Sequence, residues 1–195
     1  MCSGKVKWSS VIAITNRSLC TGDFLTQVEK AAALGVRGIV LREKDLLPEE
    51  YDKLAVSVME ICKNYQVECI LHKFVDVAEK LGCPNIHLPL ADLLSLQGIT
   101  YNDSPKVAAE KRRQDNILSG FKKIGASVHS LEDARIAEQA GCTYMTAGHV
   151  FATDCKKNLP PRGIDFLSNI CKTVSVPVFG IGGIHPDNML SLIHI

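Results

Sequence analysis

Residues 123–147 read KIGASVHSLEDARIAEQAGCTYMTA, and this stretch decides the fold. The run from Lys123 to Val128 is short, apolar and β-branched at its end, as a buried strand should be. From Leu131 to Ala140 the period changes: Ala134, Ile136, Ala137 and Ala140 share one side while Glu132, Asp133, Glu138 and Gln139 face away, the mark of an amphipathic helix. Gly141 then supplies the left-handed turn that ends such a helix, and Tyr144–Ala147 is a second apolar run. Strand, helix and strand in 25 residues leave room only for a parallel pair joined by a crossover helix.

Outward from this unit the same theme recurs. Strands are expected at 11–15, 38–42, 67–72, 85–88, 123–128, 144–147 and 177–181, nearly continuous in apolar residues because both faces are covered. Helices are expected at Phe24–Leu34, Glu49–Tyr65, Leu131–Ala140 and Ile164–Thr173. The helix-to-strand joints repeat as Ala-Leu-Gly at 33–35, Lys-Leu-Gly at 80–82 and Gln-Ala-Gly at 139–141. Seven such units favour an α/β fold of the TIM (β/α)8 barrel type, in one domain over 1–195, rather than an open flavodoxin-like sheet.

Composition narrows the partners. The 22 basic and 21 acidic side chains leave a net charge of +1, so no general field draws the chain to nucleic acid or an anionic membrane. Lys106, Lys111, Arg112 and Arg113 form a basic stretch, but Asp103, Glu110 and Asp115 dilute it to a solvated helix face. No 18-residue apolar run and no apolar leader segment occur, and a cytoplasmic location is expected. The eight cysteines are dispersed without a CxxC pair and read as reduced thiols, buried except at Cys155.

In a barrel of this type chemistry gathers where strands end. Those ends carry Thr15, Asn16 and Arg17; Arg42, Glu43 and Lys44; His72 and Lys73; His87; Ser127 and His129; His149; Gly182 and Gly183. Several cations among them suit an anionic, phosphorylated ligand. Gly180-Ile-Gly-Gly-Ile184 follows the seventh strand, where the fold binds phosphate through backbone N–H groups, although a tight turn needs glycine anyway. The long polar loop His149–Lys157, followed by Pro160-Pro-Arg-Gly163, offers the Thr153 hydroxyl and Lys156 or Lys157 as a mobile charge. His129 suits proton transfer near neutral pH; read by pattern alone, it is equally a helix-entry residue with a satisfied ring.

Taken together, ITNR at 14–17, LREK at 41–44, VDVA at 75–78, HL at 87–88, SVHS at 127–130, GHVFATDCKKNLPPRG at 148–163 and PVFGIGGI at 177–184 resemble the thiamine phosphate synthase/TenI superfamily. The segment around His149 resembles its thiazole tautomerase branch, since a synthase of the family has proline there. The resemblance implies a thiamine-biosynthesis enzyme acting on a small thiazole phosphate, with a homodimer possible. For a tautomerase it implies no cofactor, His129 as the catalytic proton carrier, and Arg42, Lys44, Thr153, Lys156, Gly182 and Gly183 binding substrate and phosphate. For a thiamine-phosphate synthase, the alternative, it implies Mg2+ and Asp92 as one metal carboxylate. Against the synthase stand Val40 for the family's glutamine, His72 and Lys73 for its Asn-Asp pair, and Cys155 for a threonine. A third expectation is a ligand sensor without catalysis. The family continues into an eighth strand that this chain lacks, and residues 190–195 read as a non-native tail.

Overall fold

The computed structural model describes residues 7–113, 117–156, 159–185 and 188. Seven strands form one sheet in strictly sequential order: β1 (Ile12–Ile14), β2 (Gly38–Leu41), β3 (Glu68–His72), β4 (Asn85–Pro89), β5 (Lys123–Val128), β6 (Tyr144–Gly148) and β7 (Val178–Ile181). The pairings β1·β2, β2·β3, β3·β4, β5·β6 and β6·β7 are all parallel. Sequential order with helical crossovers is the barrel type and excludes the 2-1-3-4-5 order of a doubly wound sheet. Among the described residues there is no eighth strand. The helix expected to begin at Pro186 and the tail 190–195 lie outside the described residues.

Among the described residues seven α-helices accompany the strands: α1 (Phe24–Ala33), α2 (Pro48–Asn64), α3 (Val75–Lys80), α4 (Leu90–Leu96), α5 (Pro105–Arg113), α6 (Leu131–Gln139) and α7 (Gly163–Thr173). Strand β5 has the expected bounds, and the others shift by one residue at an end or both. Helices α3 and α4 went unread because six and seven residues are too few to establish a 3.6-residue period. The basic stretch forms α5, where Lys111 pairs with Asp103 at 2.7 Å and Arg112 donates to the Gln139 carbonyl at 3.1 Å. The joint glycines Gly35, Gly82 and Gly141 have φ of +72°, +64° and +81°, as a left-handed helix end requires.

The described residues pack as two units, one within 7–87 with 120–122, the other within 88–119 with 123–188. In the first, α2 starts with Pro48, and the Glu50 carboxylate accepts from the Leu47 N–H at 3.1 Å. Its inner face is Tyr51, Ala55, Val58 and Cys62, all buried at helical spacing. All four residues of β2 are buried, so both its faces are covered. In the second unit α6 is capped by Ser130, whose hydroxyl accepts from the Asp133 N–H at 2.9 Å, and Ala134, Ile136 and Ala137 turn inward as their period required. Every residue of β6 is buried. The six cysteines whose side chains are described are free thiols, with Cys62, Cys83 and Cys142 buried.

Candidate functional site

Polar side chains in the first unit gather at the ends of β1 to β4. Glu43 is only 2% exposed, and its carboxylate is fully engaged. Oε1 accepts from the Thr15 hydroxyl at 2.6 Å, and Oε2 accepts from the Arg17 backbone N–H at 2.9 Å with the Arg17 Nε at 3.5 Å. The Thr15 oxygen in turn accepts from the Arg42 N–H at 2.9 Å. The glutamate of LREK is thus a tie between two strand ends, and Arg42 is held half-buried at the end of the chain of bonds.

Behind it Tyr51, fully buried, donates its hydroxyl to the Leu41 carbonyl at 2.6 Å and accepts from the His72 N–H at 2.9 Å. This strut joins β2 to β3 where Arg42 and His72 leave the strands. His72 and His87 are buried with rings stacked 5.9 Å apart. Burial, the neighbouring His87 and then the cations Arg42, Lys44 and Lys73 push His72 down to about 3; burial and Arg42 push His87 down to about 4. Both rings are neutral at pH 7. Lys73 is exposed and sits at φ +71°, a left-handed conformation that asparagine and aspartate tolerate better than lysine.

In the second unit the His129 ring is exposed, and its Nδ1–H donates to the Gly148 carbonyl at 2.9 Å. A carbonyl can only accept, so Nδ1 carries a proton and Nε2 stays outside this bond. The backbone is held in place too: the His129 N–H donates to Asp133 Oδ2 at 2.8 Å, tying the residue to the capped end of α6. The Gly148–His149 peptide is cis. His149 is buried, and its Nε2–H donates to the Leu159 carbonyl at 3.2 Å, stapling the two ends of its loop. Of the two strand-end histidines here, His129 is exposed and His149 is buried.

The Gly180–Ile184 turn packs against that loop. Val150 and Phe151 N–H groups donate to the Ile181 and Gly182 carbonyls at 2.9 and 3.0 Å. Gly182 has φ +95° and Gly183 φ +65°; a Cβ on the first would overlap His149, and one on the second the Phe151–Ala152 backbone. Packing therefore accounts for both glycines before any ligand is considered. Beside them a cavity of about 480 Å3 is lined by Ala152, Thr153, Asp154, Lys156, Leu159 and His185. Thr153 and Lys156, expected at the phosphate, line one cavity; the sequence reading missed His185, although it stands two residues beyond Gly183. Lys157 lies outside the described residues, as does the side chain of Cys155.

Asp92 lies half-buried in the first turn of α4, and among the described residues no group of three or more His, Cys, Asp or Glu is arranged to hold a metal ion. The position read as the second carboxylate of a synthase carries the Lys73 ammonium. Among the described residues, no helix is long and apolar enough to cross a membrane.

Seven parallel strands in sequential order with helical crossovers define the class, an α/β fold of the barrel type. The family model described as Thiamine monophosphate synthase matches residues 11–195, and the chain belongs to that family, whose members serve thiamine biosynthesis. It is 31% identical over 191 residues to a thiamine-phosphate synthase of Fusobacterium nucleatum, covering 97% of this chain and 85% of the relative. A thiamine-phosphate synthase of Caldanaerobacter subterraneus is 33% identical over 185 residues, covering 94% and 79%. Among solved structures, the thiamine phosphate pyrophosphorylase of Pyrococcus furiosus superposes with a TM-score of 0.72 at 28% identity, covering 95% of this chain and 80% of that one. These names agree with the synthase alternative rather than with the tautomerase expectation.

Proposed function

We propose that this thiamine-biosynthesis enzyme acts on a thiazole carboxylate phosphate and aromatises it by moving a proton, as a thiazole tautomerase. One observation carries the reading: the exposed His129 donates its Nδ1–H to the Gly148 carbonyl, which fixes the ring and leaves Nε2 outside that bond for proton transfer. In this reading Nε2 takes a proton from the non-aromatic ring carbon of the tautomer and returns it elsewhere on the conjugated system. The imidazolium formed in between keeps its Nδ1–H bond, so the ring does not have to turn. Thr153, Lys156 and the turn at Gly182 and Gly183 hold the phosphate, and Arg42 and Lys44 are the cations that the family resemblance assigns to the substrate's anionic groups. The chemistry needs no metal, which accords with Lys73 at the position of a carboxylate.

A second reading is favoured by the names of the relatives: a thiamine-phosphate synthase, joining a pyrimidine pyrophosphate to a thiazole phosphate. Asp92 is the carboxylate that this reading offers to Mg2+. The two readings share the thiazole phosphate and part at the pyrophosphate.

The full chain, incubated with the thiazole carboxylate phosphate tautomer in one tube and with both synthase substrates and Mg2+ in another, separates them. Aromatised thiazole without thiamine phosphate supports the tautomerase; thiamine phosphate in the second tube replaces it with the synthase. A His129→Gln variant should lose about 10²–10⁴-fold in tautomerase turnover while unfolding like the parent, because its side chain is exposed. Full turnover in that variant removes His129 from the mechanism.

A further inference from the structure

We propose that Cys69 and Cys83 form an oxidation site at the entry of β3, where hydrogen peroxide converts the two thiols to a disulfide. The inference is independent of the reaction proposed above and concerns the opposite end of the strand from His72.

Three thiols meet there, all within the first unit. Cys62 stands in the last turn of α2, Cys69 is the second residue of β3, and Cys83 lies two residues before β4. The Cys69 thiol is hydrogen-bonded to the thiols of both Cys62 and Cys83. Cys83 Sγ also donates to the Cys69 carbonyl at 3.6 Å and to the Asn85 carbonyl at 3.5 Å. Cys62 meets Cys69 through its thiol, whereas the Cys83 sulfur is held over the Cys69 backbone as well, and this singles out Cys83 as the partner.

The backbones are fixed in that relation. The Cys83 N–H donates to the Ala78 carbonyl at 2.9 Å, and Asn85 Nδ2 donates to the Cys69 carbonyl at 2.9 Å. β3 and β4 pair in parallel through Leu71↔Ile86 and His72↔His87. A disulfide needs Cα atoms about 4.4–6.8 Å apart, and neighbouring strands about 4.7–4.9 Å apart supply such a spacing. Cys62 and Cys83 are 1% and 3% exposed, while Cys69 is half-buried. A small oxidant such as peroxide therefore fits this place, and a second protein does not.

The Cys69 S–H beside it pushes the Cys83 thiol down to about 7 against its burial, with backbone hydrogen bonds from Asn85 and Leu71 adding to the effect. The Cys83 thiolate attacks one peroxide oxygen and the O–O bond breaks. The departing hydroxide takes up the proton that Cys83 lost, leaving a sulfenic acid and water. Cys69 Sγ then attacks the Cys83 sulfur; the S–S bond forms, the S–O bond breaks, and the Cys69 proton leaves with that hydroxide as a second water. Two thiols are oxidised to one disulfide, and one hydrogen peroxide is reduced to two waters.

Peptide mapping tests this. The reduced full chain is treated with hydrogen peroxide, alkylated in urea and digested, and linked peptides are identified by mass spectrometry. Of the eight cysteines, two should escape alkylation as a Cys69–Cys83 link that dithiothreitol reverses. The link should persist in a Cys62→Ala variant that unfolds cooperatively in urea. Full alkylation of Cys69 and Cys83 while Cys20 or Cys171 is oxidised overturns the proposal, and so does a Cys62–Cys69 link in the parent. Peroxide added to the chain in urea should give mixed pairings; the same mixture from the folded chain would show that its geometry selects no pair, which also overturns the proposal.

Discussion

Replacing Tyr51 by phenylalanine tests how the first unit holds its strand ends. The ring is fully buried, so the substitution keeps the packing and removes one oxygen. That oxygen serves two backbone groups: it donates to the Leu41 carbonyl at 2.6 Å and accepts from the His72 N–H at 2.9 Å. Each partner left unsatisfied in a buried place costs about 1–3 kcal/mol, and allowing for partial relaxation the pair should cost about 2–4 kcal/mol. At about 2–4 °C per kcal/mol for a chain of this size, the melting temperature should fall by about 4–16 °C. Tyr65→Phe is the control, because its hydroxyl donates to Glu29 at 2.9 Å on the exposed surface and its loss should stay within about 0.5 kcal/mol. Urea unfolding at pH 7.5 measures both. Equal midpoints for the two variants would refute the claim that the Tyr51 hydroxyl bridges β2 and β3.

Acid should unfold this protein through His72 and His87. Their folded values lie at about 3 and about 4, below the ordinary 6.5, so between these limits the unfolded chain binds more protons. Stability is complete above pH 6.5 and declines as pH falls toward 3, by about 2 kcal/mol per histidine at pH 5. Urea midpoints at pH 7.5 and 5 should differ accordingly in the parent and differ less in His72→Asn; an equal loss in both excludes His72 from the effect. Gly182→Ala places a methyl against His149 at φ +95°, which should cost about 2–4 kcal/mol and weaken thiazole phosphate binding, read by thermal melting with and without the ligand. A melting temperature within a degree of the parent would show that the turn relaxes freely.

The elements legible in the sequence were those long enough to show a period or uniformly apolar enough to show a buried strand. Strand β5 and helix α6 emerged where 123–140 placed them, the strand from its short apolar run and the helix from its one apolar face. Residues 75–80 and 90–96 gave no such pattern, and their helices depend on packing against the strands before them. At the site, strand ends named the right residue types without their occupations. Glu43 and His149 looked as available as His129; only geometry shows that the first two are consumed by Arg17, Thr15 and Leu159. Tyr51 left no trace, since a tyrosine on the inner face of a helix reads simply as core. The glycines at 182 and 183 were read as a phosphate turn, and crowding against the neighbouring loop alone already demands them.

The sequential order of the strands also bears on how the chain is made. Paired residues lie 26 apart for Ile12↔Gly38, 30 for Gly38↔Glu68, 15 for Leu71↔Ile86, 19 for Gly125↔Tyr144 and 33 for Met145↔Val178. At about 5–20 residues per second, a ribosome delivers each strand's partner within about 1–7 seconds of the strand itself. No strand in these pairs has to wait for a distant part of the chain, so as the nascent polypeptide leaves the ribosome its unpaired edges are those of β1 and of the strand added last.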